Sequence, residues 1–209
     1  MLEAHRSRRK RPRRALAGSD EEEEEEEEKP SGTDLLPHFN TTVYFYESLT
    51  TSSVLKLQLT LQRVEQRARP HLPPGAQVQL TLFVQSPGGF ATAGLAAYDV
   101  LKASRAHVTT IAVGSVASAS TLLFLGGRRR LIAPNAEFLI HQLSAHVAGS
   151  NAILRDEMQN NKETMTRMVR IYAENSNMRK KQVRAQLANE KCLDADAVVE
   201  CGMAHAIWI

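Results

Sequence analysis

Three short stretches of this chain carry residue types that could perform acyl transfer. Ser86-Pro87-Gly88-Gly89 follows one apolar run, Gly114-Ser115-Val116-Ala117-Ser118-Ala119-Ser120 sets a serine among small residues after a second, and Phe138-Leu139-Ile140-His141-Gln142 ends a third on a histidine. A serine hydroxyl becomes nucleophilic only when a positioned base takes its proton, and the base needs an acid behind it to fix its tautomer. Ser118 and His141 are therefore the candidate nucleophile and base. The backbone amides of Gly89 and Ala119 form the candidate oxyanion hole, because glycine permits close backbone approach and a strand-to-helix junction leaves free N–H groups aimed at developing charge. Each signal has a plainer reading on its own: a serine among alanines is commonly a small residue at a tight crossing, and a lone histidine a satisfied core group. His146, in the polar loop beyond, competes with His141 as the base.

The elements that must position these residues follow from hydrophobic period. Thr42 to Tyr46 is β-branched and aromatic, hence a short strand. The next segment fits both periods, with Leu55, Leu57, Leu59 and Leu61 alternating while Val54, Leu57, Leu61, Val64 and Ala68 share a helical stripe; its length favours a helix from about Ser53 to Arg69. Pro70, Pro73, Pro74 and Gly75 turn the chain. Val78–Val84 then reads as a strand, Ala91–Ala103 as a helix, Val108–Val113 as a buried strand and Ser118–Leu125 as a short apolar helix. Leu131–Ala133 and Glu137–Ile140 follow as strands about the Pro134-Asn135 turn. Strands alternating with helices imply right-handed crossovers and a mainly parallel sheet, in which function gathers at the strands' carboxyl ends. Gly88, Gly89, Ser118 and His141 all come just after predicted strands.

Beyond His141 the chain reads as helical. Ser150 is placed to cap a long helix in which Ile153, Leu154, Met158, Met165, Met168, Val169 and Tyr172 recur at helical spacing, ending near Asn175-Ser176-Asn177. A methionine-rich stripe of this length suits core or subunit packing better than a cofactor site. Helices at about Arg179–Ala188 and Asp194–Cys201 follow, the second with Asp194 as N-cap and Gly202 past its end.

Composition bounds the rest. With 209 residues, 43% of them hydrophobic, the chain holds one well-buried domain and a tail. Residues 1–30 carry eight Lys/Arg and ten Asp/Glu, including the basic run Arg8–Arg14 and the nine-residue acidic run Asp20–Glu28. Self-repulsion and the lack of apolar residues predict a disordered charged tail over 1–38, and the folded domain over 39–209. The basic run also resembles a nuclear-import or anionic-surface signal. No basic stripe with interleaved aromatics argues for nucleic acid, and no long apolar run argues for a membrane. Cys192 and Cys201 lack a metal-type spacing and are expected as buried free thiols. No cofactor and no metal is expected, and the protein is expected to be soluble and intracellular, in the cytoplasm, with an organelle or the nucleus left open.

Taken together in order and spacing, Ser86-Pro87-Gly88-Gly89, Ala117-Ser118, Pro134-Asn135, Ile140-His141-Gln142 and Glu200-Cys201-Gly202-Met203 resemble the successive signatures of ClpP, the proteolytic subunit of the Clp protease, in the ClpP/crotonase superfamily. The resemblance spans about Thr41 to Ala206. It implies an α/β fold, a ClpP/crotonase-like spiral of β-β-α units with a long handle helix, the latter over about Ser150 to Asn175. It also implies a serine endopeptidase acting on unfolded polypeptide inside an oligomeric chamber. That chamber is a homo-oligomer or mixed ring of ClpP-like subunits, served by an AAA+ ATPase unfoldase. Carried over by position, Ser118 resembles the nucleophile, His141 the base, and Gly89 with Ala119 the oxyanion donors.

The chain departs from the family pattern at several positions. Glu190 stands where the family's acid is usually Asp, Asn189 where an arginine used in ring-to-ring contact is common, and Leu143 where proline usually follows His-Gln. Phe83 matches an aromatic that often lines the ATPase-docking pocket. Three readings follow: an active ClpP-like peptidase with a Ser118-His141-Glu190 triad; a non-catalytic ClpP-like structural or regulatory subunit in which Glu190 fails as the acid; and a crotonase-like enzyme acting on an acyl thioester, against which the Ser118/His141 pair argues.

Overall fold

The computed structural model describes residues 40–209. The expectations for the charged tail over 1–38 and for its basic run lie outside the described residues.

Every paired strand of the sheet is parallel to its neighbour, and the helices lie between strands in the chain, as the alternating pattern predicts. The strands are β1 (Thr42–Phe45), β2 (Gln79–Ser86), β3 (His107–Ala117), β4 (Arg129–Ile132), β5 (Glu137–Leu139) and β6 (Ala206–Ile207). They are ordered β1-β2-β3-β4-β6, with β5 also on β3. The helices are α1 (Thr51–Ala68), α2 (Ala91–Ala103), α3 (Ser120–Leu125), α4 (Asn151–Glu174), α5 (Lys180–Leu187) and α6 (Ala195–Glu200). A 3-10 turn, Arg69–His71, closes α1.

Local chemistry sets several boundaries. α1 begins before Ser53 because Thr50 caps it: the Thr50 hydroxyl accepts from Ser53 N at 3.0 Å while Thr50 N donates to Ser53 Oγ at 2.8 Å. Two orphan helix donors are thereby satisfied by one reciprocal pair. Ser150 caps α4 and Asp194 caps α6, as their types suggest. The two-residue β6 carries no periodic signal and was legible only by its pairing with β4, Leu131 to Ala206.

The main departure from the expected elements is β3, which runs on past Val113 to Ala117. Its first half pairs with β4, Thr109–Ala112 against Arg129–Ile132, and its last three residues pair with β5 instead. Between them the register against β2 slips, Val84 facing Ala112 but Ser86 facing Val116. Gly114, at φ 58°, takes the left-handed conformation the slip requires. Extra residues on one strand bend it, so β3 leaves one layer of partners and continues along another. That bend carries Ser118 to the end of β5, the strand that leads to His141.

The core is continuous from sheet to helices. Leu80, Leu82 and Val84 of β2, Leu122 and Phe124 of α3, and Phe138 of β5 are fully buried, and Phe124 meets Phe138 edge to face at 5.3 Å between centroids. α4 changes character along its length. Met168, Val169, Ile171 and Tyr172 are buried, while Ile153 and Met158 nearer its start are exposed. At the amino ends of β4 and β6, the buried Arg130 guanidinium donates to the carbonyls of Met203 (2.6 Å), Gly202 (3.3 Å) and Asn175 (3.3 Å), tying the C-terminal turn to the sheet. Cys201 is half-buried, and Cys192 is exposed rather than buried, because it lies on the segment before Leu193 that bulges away from β5. Among the described residues no helix is long and apolar enough to cross a membrane.

Candidate active site

The carboxyl ends of β2, β3 and β5 converge on one point. Ser118 follows β3 directly, and α3 begins only at Ser120, two residues later than the sequence suggests. The reason is the Ser118 backbone. At φ 58° it is the only non-glycine residue with positive φ among the described residues, a conformation no right-handed helix accommodates. Such a residue costs on the order of 1–2 kcal/mol and persists only where its surroundings impose it. Here Ser118 N donates to Leu139 O at 2.8 Å, and Ser118 O accepts from both Thr121 N (3.1 Å) and Thr121 Oγ1 (2.6 Å). Thr121 in turn lies 2.6 Å from the Tyr172 hydroxyl. The one Thr121 proton goes to Ser118 O, so Tyr172 is the donor in that pair. Burial pushes the Tyr172 phenol well above its usual range, which keeps the donating proton in place.

The glycine pair after β2 closes over this turn. Gly88, at φ 100°, lies so near that a Cβ there would meet Ser118 Cβ at 2.6 Å and Ala117 O at 2.7 Å. Only glycine fits. Leu49 clamps the pair from outside, its N–H donating to Gly88 O (2.7 Å) and its carbonyl accepting from Phe90 N (2.9 Å). This pattern leaves the Gly89 amide without an acceptor among the described residues, and the Ala119 amide likewise. Two free donors thus flank Ser118. The sequence offered no signal for Leu49, which reaches the site through a single isolated bridge.

His141 is the third component. Its Nε2 lies 2.7 Å from Ser118 Oγ, within the range of a strong hydrogen bond. A small pocket of about 50 Å³ is lined by Gly89, Ser118, Ala119, His141, Leu143 and Met168 among others. The structure therefore brings together four of the five residues singled out in the sequence: Ser118, His141, Gly89 and Ala119. Met168 was visible in the sequence only as one member of a helical stripe.

Glu190 is placed differently. The segment bearing it is pinned at both ends to the chain bearing His141: Phe138 and Leu193 exchange bonds of 3.0 and 2.8 Å, and Gln142 N donates to Leu187 O at 2.9 Å. A regular antiparallel ladder counted from Phe138–Leu193 would set His141 opposite Glu190. The Gln142–Leu187 bond breaks that count by two residues, so Ala188 to Cys192 bulges away. Glu190 is exposed, and lines a separate cavity with Asn189, Lys191 and Cys192. Among the described residues it makes no hydrogen bond to His141.

Comparison with known proteins points to one family. Residues 74–208 match the Clp protease family. The chain is 34% identical over 124 residues to "ATP-dependent Clp protease proteolytic subunit 1" of Streptomyces coelicolor, covering 58% of this chain and 57% of that protein. It is 31% identical over 133 residues to proteolytic subunit 2 of Corynebacterium efficiens, covering 62% of this chain and 67% of that protein. It is 35% identical over 128 residues to proteolytic subunit 3 of Streptomyces avermitilis, covering 60% and 58%. The matched part therefore spans between 57% and 67% of these relatives' lengths.

Proposed function

The chain belongs to the Clp protease family, and from that premise we propose that it is a serine endopeptidase with Ser118 as nucleophile. The observation that carries the reading is the 2.7 Å contact between Ser118 Oγ and His141 Nε2 at a turn held in positive φ. His141 takes the hydroxyl proton as Ser118 Oγ adds to the scissile carbonyl. The amides of Gly89 and Ala119 receive the oxyanion, and His141 returns the proton to the departing amine. Water then repeats the sequence on the acyl-enzyme. Glu190 is assigned the acid that fixes the His141 tautomer, which requires the bulged segment to turn its carboxylate inward.

The substrate class is unfolded polypeptide. The protein acts as one subunit of a homo-oligomeric or mixed ring, packed through the projecting first half of α4, with an AAA+ ATPase as partner. The exposed aromatic face supports that partner. Tyr44 stacks on Phe83 at 5.4 Å and Trp208 meets Phe83 at 5.2 Å, with Tyr44 and Tyr46 more than half exposed. Such a patch suits the docking of an apolar segment.

The outward position of Glu190 favours a second reading, a ring subunit that does not cleave. Fluorophosphonate labelling of the parent, of Ser118→Ala and of Glu190→Gln separates the two. The peptidase reading expects labelling that disappears in Ser118→Ala and slows by a factor of about 10² to 10⁴ in Glu190→Gln. An assembled parent that never labels leaves the non-catalytic reading.

A further inference from the structure

Beside the Ser118–His141 pocket lies a second cavity of about 460 Å³, lined by Leu143, Met158, Asn161, Lys162, Met165 and Arg184 among others. Leu143 is shared by both. Its N–H donates to Met165 Sδ at 3.2 Å, a bond that the proline usual at this position in the family has no hydrogen to make. The chain leaving His141 is thereby tied to α4 along the wall common to both spaces. Met158, Lys162, Met165 and Met168 recur three or four residues apart, so they share one side of the helix. At 1.5 Å per residue, Met168 in the first pocket and Met158 in the second are about 15 Å apart along the axis, and Met168 and Lys162 about 9 Å. The two cavities adjoin at Leu143, and the second forms a trough along α4.

The charge of this trough is one-sided. Its floor is Leu143, Met158 and Met165, and its charged lining residues are Lys162 and Arg184, both exposed, with no carboxylate among the lining residues. Among the described residues neither cation forms an ion pair. Glu163, next to Lys162, is occupied by Gln159 (3.1 Å) and Arg167 (3.8 Å). Ile153 falls about 140° round the helix from Met158, so the two exposed apolar residues of the first half of α4 lie on different sides of it.

We propose that this trough is a substrate subsite that receives an acidic side chain: a polypeptide held at Ser118 lies along α4 and sets a Glu or Asp between Lys162 and Arg184. Extended chain advances about 3.3 Å per residue, so the roughly 9 Å along α4 from Met168 to Lys162 puts that side chain about three residues beyond the one seated against Met168 in the Ser118 pocket. The apolar floor takes the methylenes and the two cations take the carboxylate, in the way long polar side chains divide between surfaces. The inference rests on the peptidase reading of Ser118.

The test uses the full chain carrying Ser118→Ala, so that peptide is bound and not consumed. Three fluorescein-labelled decapeptides share an apolar centre and carry Glu, Gln or Lys three residues to either side, and their affinities are measured by anisotropy. The Glu peptide is expected to bind about fivefold tighter than the Gln peptide, the effect of two exposed charge contacts, with the Lys peptide weakest. Adding Lys162→Glu and Arg184→Glu is expected to reverse that order, and because both side chains are exposed, circular dichroism should be unchanged. Equal affinities, no binding of the Glu peptide, or an order that survives the charge reversal overturns the proposal. A parent that labels at Ser118 but shows no charge preference loses this inference alone; one that binds Glu peptides in that order but never labels loses the peptidase reading, and the trough is then a peptide-binding groove and not a substrate subsite.

Discussion

The Ser118 turn and the Glu190 segment stand on either side of the same histidine and are built in opposite ways. At Ser118 an unfavourable backbone conformation is held by bonds from β5, from Thr121 and, one layer out, from Tyr172. Around Glu190 the chain is pinned at Leu187 and at Leu193, Asn189 bonds back to Gln186 and Ala185, and the residues from Ala188 to Cys192 are exposed. Strain is sustained only where many contacts impose it, whereas Glu190 to Cys192 are exposed and make no hydrogen bond among the described residues. One side of the candidate site is therefore held by many bonds, and the other by few.

Substitutions can break this contrast. The largest effect is expected at Gly88. Alanine there meets Ser118 Cβ and Ala117 O in a backbone region that side chains disfavour, and we expect a loss of about 2–4 kcal/mol, read as a lowered denaturation midpoint, together with loss of fluorophosphonate labelling. Tyr172→Phe removes the donor to Thr121 while leaving the ring. Its expected cost is about 1–1.5 kcal/mol, seen as a melting point lower by a few degrees and as slower labelling from a loosened turn. Lys191→Ala, in the bulge, should change stability by less than about 0.5 kcal/mol. A loss at Lys191 equal to that at Tyr172 would show the bulge to be as rigid as the turn, and the contrast would fail.

Much of the arrangement was legible in the sequence because it is carried by local signals. Period separated α2 and α4 from the strands, Ser150 and Asp194 marked helix starts, and the small residues around Ser118 with the paired glycines marked a close approach. The boundaries that were missed each have a non-local or cooperative cause. α1 begins early because Thr50 and Ser53 bond each other; β6 exists only by leaning on β4. Cys192 is exposed because the segment around it bulges, which no residue type there announces.

Apolar period, caps and glycine conformation act over a few residues, so local signals suffice to mark which residues could form the site and the order of elements that deliver them. Tertiary structure alone decided how they meet. The slip in β3 at Gly114 redirects that strand from β4 to β5 and so brings Ser118 Oγ to His141 Nε2. The Gln142–Leu187 bond breaks the ladder that would have set Glu190 opposite the same histidine. Both are matters of strand register, fixed by hydrogen bonds between segments far apart in the chain, and a difference of two residues in register separates a residue that reaches the site from one that faces solvent.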